Sequence, residues 1–456
     1  MPTTVLWLRR DLRLHDLPAL GAAAEQADGG RVVPLFVLEP RLLGQSPVRT
    51  AALVQALASV RESYDGALVL RTGRAEEVLP AVVRETGAAA VHVSGETTPW
   101  GRRRDERVRA ALDGVPLVAT GSPYAVGPGL VLNGQGAAYQ VFSPFARAWR
   151  GHGWPDPATV PAGVRWHRQV EGEELPAAPA LPDATTLPEV GEMAARVRWE
   201  AFRDSALEDY GQARDRPDLD GTSRLSVQLK WGTIHPRTLL ADLERRTGEG
   251  VRRFVDELAW REFYADVLWH HPASAWRDLK PALRGMAYDD PGTDDGVADL
   301  VRAWQEGRTG YPLVDAGMRQ LLSEGWMHNR VRMVTASFLV KHLHVWWPHG
   351  ARHFLRHLAD GDIASNNHGW QWVAGTGTDA APYFRVFNPV SQGLRYDPDG
   401  AYVRRHVPEL RHLPGASAHE PWKASEGHAH GYPEPVVEHR EARAEALRRY
   451  EEARAR

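Results

Sequence analysis

The first quarter of the chain alternates short β-branched runs with Ala-rich stretches of helical period. Val5–Leu8, Arg31–Val37, Ala67–Arg71, Ala90–Ser94 and Val115–Ala119 read as strands, each short, apolar and bounded by turn-forming or polar residues. Between them the pattern predicts a helix from Asp16, with Pro18 in its first turn, and another from Arg74 to a stop at Gly87. Strands that alternate with helices need crossover connections, so residues 1–125 are expected to form a doubly wound α/β domain on a parallel sheet. Neither G-x-G-x-x-G nor G-x-x-x-x-G-K-[ST] occurs in it, so the sheet by itself points to no nucleotide.

From about Tyr124 to Glu192 the pattern dissolves into Pro, Gly and Ala, as in EELPAAPALPDATTLPE, and residues 126–193 are predicted to be an interdomain linker. Helical periodicity then takes over, in Arg237–Arg246, Val251–Val267 and Trp326–Leu343, with almost no strand signal. An all-α domain is expected over 194–435. The charged segment Glu434–Arg456 is expected to be a solvated terminal helix, taken as 436–456.

Composition narrows the chemistry. The 456 residues include no Cys, which removes disulfides, thiolate metal sites and cysteine nucleophiles and fits a reducing, cytoplasmic compartment. A metal would need His and carboxylates, and no such set stands at ligand spacing, so none is expected. There is no apolar run near the roughly 20 residues that span a bilayer, and the start MPTTVLWLRRDLRL lacks a signal peptide's apolar core, so no membrane contact is expected. Net charge is −3, so any nucleic acid must be met by a local patch. Of 17 Trp, 12 lie at or beyond Trp199, more than packing alone calls for and suited to the walls around a planar ligand.

The most unusual stretch is DGDIASNNHGWQWVAGTGTDAAPYFRVFNP, Asp360 to Pro389, where acids, amides, glycines and two Trp are mixed. Burying Asp360, Asp362 and Asn366 without partners would be costly, so an enclosed polar ligand accounts for them better than packing does. Upstream, GWMHNRVRM places Asn329 and Met333 on one helix face, with Arg332 and Arg330 on neighbouring faces. Gly325 to Leu358 carries five Lys/Arg, six His and no acid, a local basic surface or simply a solvated face. In DGTSRLSVQL the turn reads either as a cradle for phosphate or as a helix N-cap. Within ELAWREFY, Glu257, Trp260 and Arg261 share one helical stripe.

In this order the motifs resemble the photolyase/cryptochrome family, from LWLRRDLRLHD to EPW at Glu420–Trp422. The resemblance implies an N-terminal α/β domain with a light-harvesting antenna and a helical domain holding bent FAD. Tyr210, Thr222, Ser223, Leu225 and Ser226 would cradle its phosphates. Arg261, Asn329, Arg332, Asp360, Asp362 and Asn366 would surround the flavin, with Arg332 paired to Asp360 and Asn366 facing N5. The implied partner is UV-damaged DNA, bound by a monomer, with a pyrimidine dimer flipped toward the flavin. Dimer and DNA contacts would fall to Glu257, Trp260, Asn329, Arg330, Met333, Trp372 and Arg385. The implied reaction is light-driven splitting of cyclobutane dimers by electron transfer, with Glu257 donating a hydrogen bond to a pyrimidine carbonyl. A photosensory cryptochrome and a (6-4) photolyase are the alternatives. The latter carries histidines where this chain has Asn329 and Met333, and the former usually has a long extension after the helical domain.

Two departures from the family pattern stand out. Val227 replaces the Pro of L-S-P after the TSR turn. A Trp relay would run from Trp370 to Trp347 and end at Tyr288, where the family has another Trp. For the antenna, the Asn-Glu pair of folate-binding members is Trp100 and Gly101 here, so the resemblance implies an 8-hydroxy-deazaflavin rather than methenyltetrahydrofolate, met by Phe36, Glu39, Arg49 and Trp100.

Overall fold

A computed structural model describes residues 2–379 and 385–455. Five strands, β1 (Thr3–Leu8), β2 (Arg31–Leu38), β3 (Val69–Thr72), β4 (Ala90–Val93) and β5 (Leu117–Ala119), form one sheet in the order β3-β2-β1-β4-β5, every pair parallel. The crossover helices include α1 (Pro18–Ala27), α2 (Pro47–Ser63), α3 (Ala75–Thr86) and α4 (Pro99–Ala111). All five expected strands form, and α3 stops where Gly87 takes the left-handed conformation. Because both faces are covered, the central strands carry apolar residues on both sides: Leu6 and Leu8 pack on one side, Val5 and Trp7 on the other. Strand order reverses between β1 and β4, the switch point beyond whose carboxyl ends open α/β sheets bind ligands, and Arg9, Arg10, Ser94 and Glu96 follow those ends.

The expected linker is corrected in part, because it holds a helix, α5 (Phe142–His152). Phe145 and Trp149 of α5 are buried against the helical region. The buried Glu262 carboxylate explains why: it accepts the indole N–H of Trp149 at 2.8 Å and the amides of Ala125, Val126 and Gly127 at 2.6, 3.2 and 3.3 Å. Farther on, the connector pairs with the sheet region, Val32 donating to Arg165 O and His167 to Val32 O, each at 2.9 Å.

The helices that build the site are α6 (Glu192–Ser205), the six-residue α7 (Ser226–Trp231), α8 (Glu249–His270), α9 (Asn329–Lys341), α10 (Trp347–His357) and α11 (Ile363–Ala374). Their largest core gathers Trp304, Phe338, Trp347, Phe354 and Trp370. The α/β region docks on them through Leu12 N to Trp231 O at 3.1 Å, Arg237 to Asp16 at 2.5 Å and Arg10 to Asp362 at 2.6 Å. The last helix, α12 (His439–Ala455), is not wholly solvated as expected: Ala442, Ala446 and Ala453 are buried, two of them with Leu283 and Met286, and Arg449 clamps Asp289 at 2.9 and 3.2 Å. Among the described residues no helix is long and apolar enough to cross a membrane.

Candidate functional site

A cavity of about 480 Å³ lies among the TSRLS turn, α7, α8, α9 and α11, within the usual range for an organic cofactor. Tyr210, Thr222, Ser223, Leu225, Ser226, Arg261, Asn329, Arg332, Asp360, Asp362 and Asn366 all line it. Phe354, Leu358, Trp370 and Val373 supply an apolar side for a ring system. Chain segments more than a hundred residues apart thus converge on the residues the motifs singled out.

At the hydroxyl-rich end the N-cap reading fails, since Leu225 holds the N-cap position of α7 and no side chain caps it. The turn is instead pinned from outside. Arg198 of α6 donates to Thr222 O at 2.7 Å and Ser223 O at 2.9 Å, and it also meets Asp220 at 3.0 Å. In a trans peptide the N–H points opposite to its C=O, so fixing these carbonyls turns the next amides away from Arg198. Arg224, at φ +50°, sharpens the turn. Val227 is fully buried in the core beneath the sheet, a packing role that needs no Pro.

At the other end Arg332 is immobilised. It donates to Asp360 in a fork at 2.7 and 3.2 Å and to Met327 O at 2.7 Å. Asn366 spends both amide protons on Ala351 O at 3.2 Å and Asn367 Oδ1 at 2.8 Å, which leaves its carbonyl oxygen as the group free to meet a ligand. Asp362 caps α11 by accepting from Ser365 N at 3.0 Å and pairs with Arg10. Burial alone would raise this carboxyl, but Arg10, Lys230 and Arg261 outweigh it and hold it well below the ordinary carboxylate range. Arg261 is fixed by Pro123 O and Leu229 O at 2.9 and 3.1 Å and lies over Tyr124.

Glu257, Trp260, Met333 and Trp372 line the same cavity. Trp260 is braced by Phe142 of α5, stacked at 3.7 Å and 7°, which makes it a rigid wall. Glu257 is paired to Arg214 at 2.7 Å. Burial raises the Glu257 carboxyl, and Arg214 opposes that only in part.

The cavity does not gather every predicted residue. Arg330 turns to Asp215 at 2.8 Å and lies over Tyr396. Arg385 is exposed, and its carbonyl accepts from Lys341. Trp347 is wholly buried behind the cavity, while the Tyr288 hydroxyl is buried without a hydrogen-bond partner among the described residues. The expected basic surface over Gly325–Leu358 is corrected: His328, Lys341 and His342 are buried, and Arg330 and Arg332 are paired, leaving Arg352 and Arg356 exposed. Helical spacing could not show this, because α9 is enclosed on nearly every side. His328 caps α9 by accepting from Arg330 N at 3.2 Å. Among the described residues no His and carboxylate group could hold a metal.

Of the antenna residues, Phe36 is buried in the core against α2, and Glu39 faces Arg104 at 3.6 Å. Arg41 and Arg104 both approach the Trp100 ring, at 5.3 and 5.1 Å from its centroid. Arg49 has no carboxylate partner among the described residues, and burial lowers its guanidinium to about 10.

The sequence profile of the FAD-binding domain of DNA photolyase matches residues 254–452, and that of DNA photolyase matches residues 4–162. A deoxyribodipyrimidine photo-lyase of Streptomyces griseus is 42% identical over 467 residues, covering 100% of this chain and 99% of its own. The chain belongs to the DNA photolyase family. A class III photolyase of Agrobacterium tumefaciens superposes with a TM-score of 0.92 at 35% identity, over 100% of this chain and 98% of that one. A Synechocystis cryptochrome follows at 0.89 and 26% identity, over 98% of this chain and 99% of that one, so the photolyase fold alone does not separate repair from sensing.

Against this photolyase background four residues escaped the motif reading: Arg10, Arg198, Arg214 and Lys230. Lys230 lines the cavity beside Trp231, and burial together with the nearby Arg10 lowers it to about 7. The signal was present in LWLRRDLRL and QLKW, but only the docking of the two regions shows that these cations meet.

Proposed function

We propose that this protein repairs cyclobutane pyrimidine dimers in DNA under light, with FAD in the cavity and the flipped dimer against Glu257, Trp260, Asn329, Met333 and Trp372. The observation that carries the reading is one cavity lined by both residue sets, in a chain of the photolyase family. FAD, when bound, supplies the photochemistry, lending an electron to the dimer and recovering it once the ring bonds break. The chain's own task is positioning and electrostatics. Thr222, Ser223 and Ser226, with the amides that Arg198 turns inward, would receive the phosphates. The carbonyl of Asn366 would accept from N5–H of a reduced flavin, and the Arg332–Asp360 fork would hold a cation beside the ring. Trp260 and Trp372 would exclude water from the dimer. Glu257 would leave Arg214 as the dimer enters, take up a proton in the drier site, and donate it as a hydrogen bond to a pyrimidine carbonyl. Asn329 and Met333, rather than histidines, favour the cyclobutane lesion over the (6-4) one.

The antenna is proposed to be an 8-hydroxy-deazaflavin. Arg49 is half-buried beside the docked helical region and has no carboxylate partner among the described residues, so an acidic phenolate-like oxygen would pair with it. A folate-type Glu at Gly101 would have to displace the Glu96 side chain, which holds the amides of Thr97 and Thr98 and meets Arg104. The deciding experiment is a flavin spectrum of the purified protein with light-dependent loss of dimers from irradiated oligothymidine. A flavoprotein that leaves dimers intact in the light would carry the photosensory reading instead.

A further inference from the structure

Trp370 of α11 lines the cavity, and its ring end presses on Gly350 of α10 so closely that a Cβ there would lie 2.1 Å from it. Gly350 stands three residues after Trp347, on the same helix face and one turn away. Trp347 is wholly buried and donates its indole N–H to Asp278 at 2.7 Å. The ring of Trp276 lies parallel to it, at 2° between planes and 6.5 Å between centroids. Trp276 is half-buried, so an edge of it reaches water. Three indoles therefore lead from the cavity wall to the surface. We propose that, when a photoexcited oxidised flavin takes an electron from the cavity wall, the electron hole leaves through Trp347 and Trp276 and not through Tyr288; this rests on the reading that the cavity holds FAD.

Tyr288 is the weaker exit on chemical grounds. A phenol gives up an electron readily only as its proton departs, and the Tyr288 hydroxyl has no acceptor among the described residues while burial pushes its pKa up. Trp276 needs no internal base, because an indole radical cation is itself an acid that water can deprotonate. Arg352 lies 4.9 Å over its ring, which disfavours positive charge there and so promotes that proton's loss. Trp346 also adjoins Trp347, but its ring stands at 67° to it, whereas that of Trp276 is parallel. The steps balance: one electron passes from Trp370 to the flavin, from Trp347 to Trp370 and from Trp276 to Trp347. The indole proton of Trp276 goes to water. A dissolved thiol then returns one hydrogen atom to the neutral indole radical and is itself left as a thiyl radical.

The test is flash photolysis of the oxidised holoprotein, with paramagnetic resonance of the trapped radical, in wild type, W276F, W346F, Y288F and R352A at matched FAD content. Expected are a long-lived neutral tryptophan radical in wild type, Y288F and W346F, and at least tenfold faster recombination in W276F. Photoreduction of W276F with a thiol should fall about as far, while its repair after chemical reduction is unchanged. R352A should prolong the cation stage severalfold, a readout that does not depend on removing Trp276. Wild-type radical lifetime in W276F, or loss of the radical in Y288F or W346F, overturns the proposal. So does a wild type that binds FAD yet forms no tryptophan radical. A wild type that binds no flavin defeats the FAD reading itself.

Discussion

Glu257 shows how one side chain is poised between two partners. Arg214 holds it at 2.7 Å, while burial pushes its carboxyl toward the protonated form. A lesion that displaces Arg214 removes the opposing charge and completes that shift. Glu257→Gln, which still donates, should therefore keep FAD and most repair. Glu257→Ala should keep FAD but weaken binding of dimer-containing DNA about tenfold, roughly 1.4 kcal/mol. Equal losses in the two variants, read by titration and repair yield, would show that the hydrogen bond is not the function. Lys230 carries a second prediction. Its folded-state value, about 7 against an ordinary 10.5, means that the unfolded chain holds the extra proton between those limits. Stability from this site is therefore lowest below pH 7 and rises toward pH 10. Lys230→Met should melt higher than wild type at pH 7, on the order of 2 °C, with the gap closing as pH rises. A gap that stays constant with pH would assign the gain to packing.

At the scale of elements, the strands and long helices were legible because their periodicities are local properties. The helix in the connector was not. Phe142–His152 sits in Pro- and Gly-rich surroundings, and what holds it is a carboxylate more than a hundred residues away in sequence. The same holds for α12, whose pattern reads as polar although small alanines let one face dock. In the site, the residue types of the TSRLS turn were legible, but its outer clamp Arg198 was not, being one arginine of a helix with no motif around it. Glu262 makes the connector testable. Removing its carboxylate would leave the Trp149 indole and three backbone amides without an acceptor in a buried place. Glu262→Ala should cost about 3 kcal/mol and loosen α5, taking with it the Phe142 brace on Trp260. Trp149→Phe, which removes one donor of the set, should cost roughly 1–2 kcal/mol. Denaturant unfolding separates the two, and a Glu262→Ala protein of wild-type stability would mean that water replaces the carboxylate.

Across the whole molecule, a net charge of −3 leaves DNA binding to local groups, and the expected basic run supplies fewer than its composition promised. Most of that run is buried or paired because α9 forms a cavity wall. Arg330 is the instructive case. It stands at the cavity's edge one residue after Asn329, yet Asp215 neutralises it at 2.8 Å and Tyr396 lies under it. A phosphate would have to share this guanidinium with Asp215. Arg330→Ala should therefore weaken binding to damaged DNA and lower the slope of log K against log salt by less than the roughly one expected for a free phosphate contact. Asp215→Asn should act in the opposite sense, tightening binding and steepening the slope by up to about one, because it frees the cation without adding charge elsewhere. Binding isotherms at several salt concentrations, on dimer-containing and intact DNA, read both. If Asp215→Asn leaves slope and affinity unchanged while Arg330→Ala weakens binding, Arg330 acts by shaping the rim with Tyr396 and not as a phosphate contact.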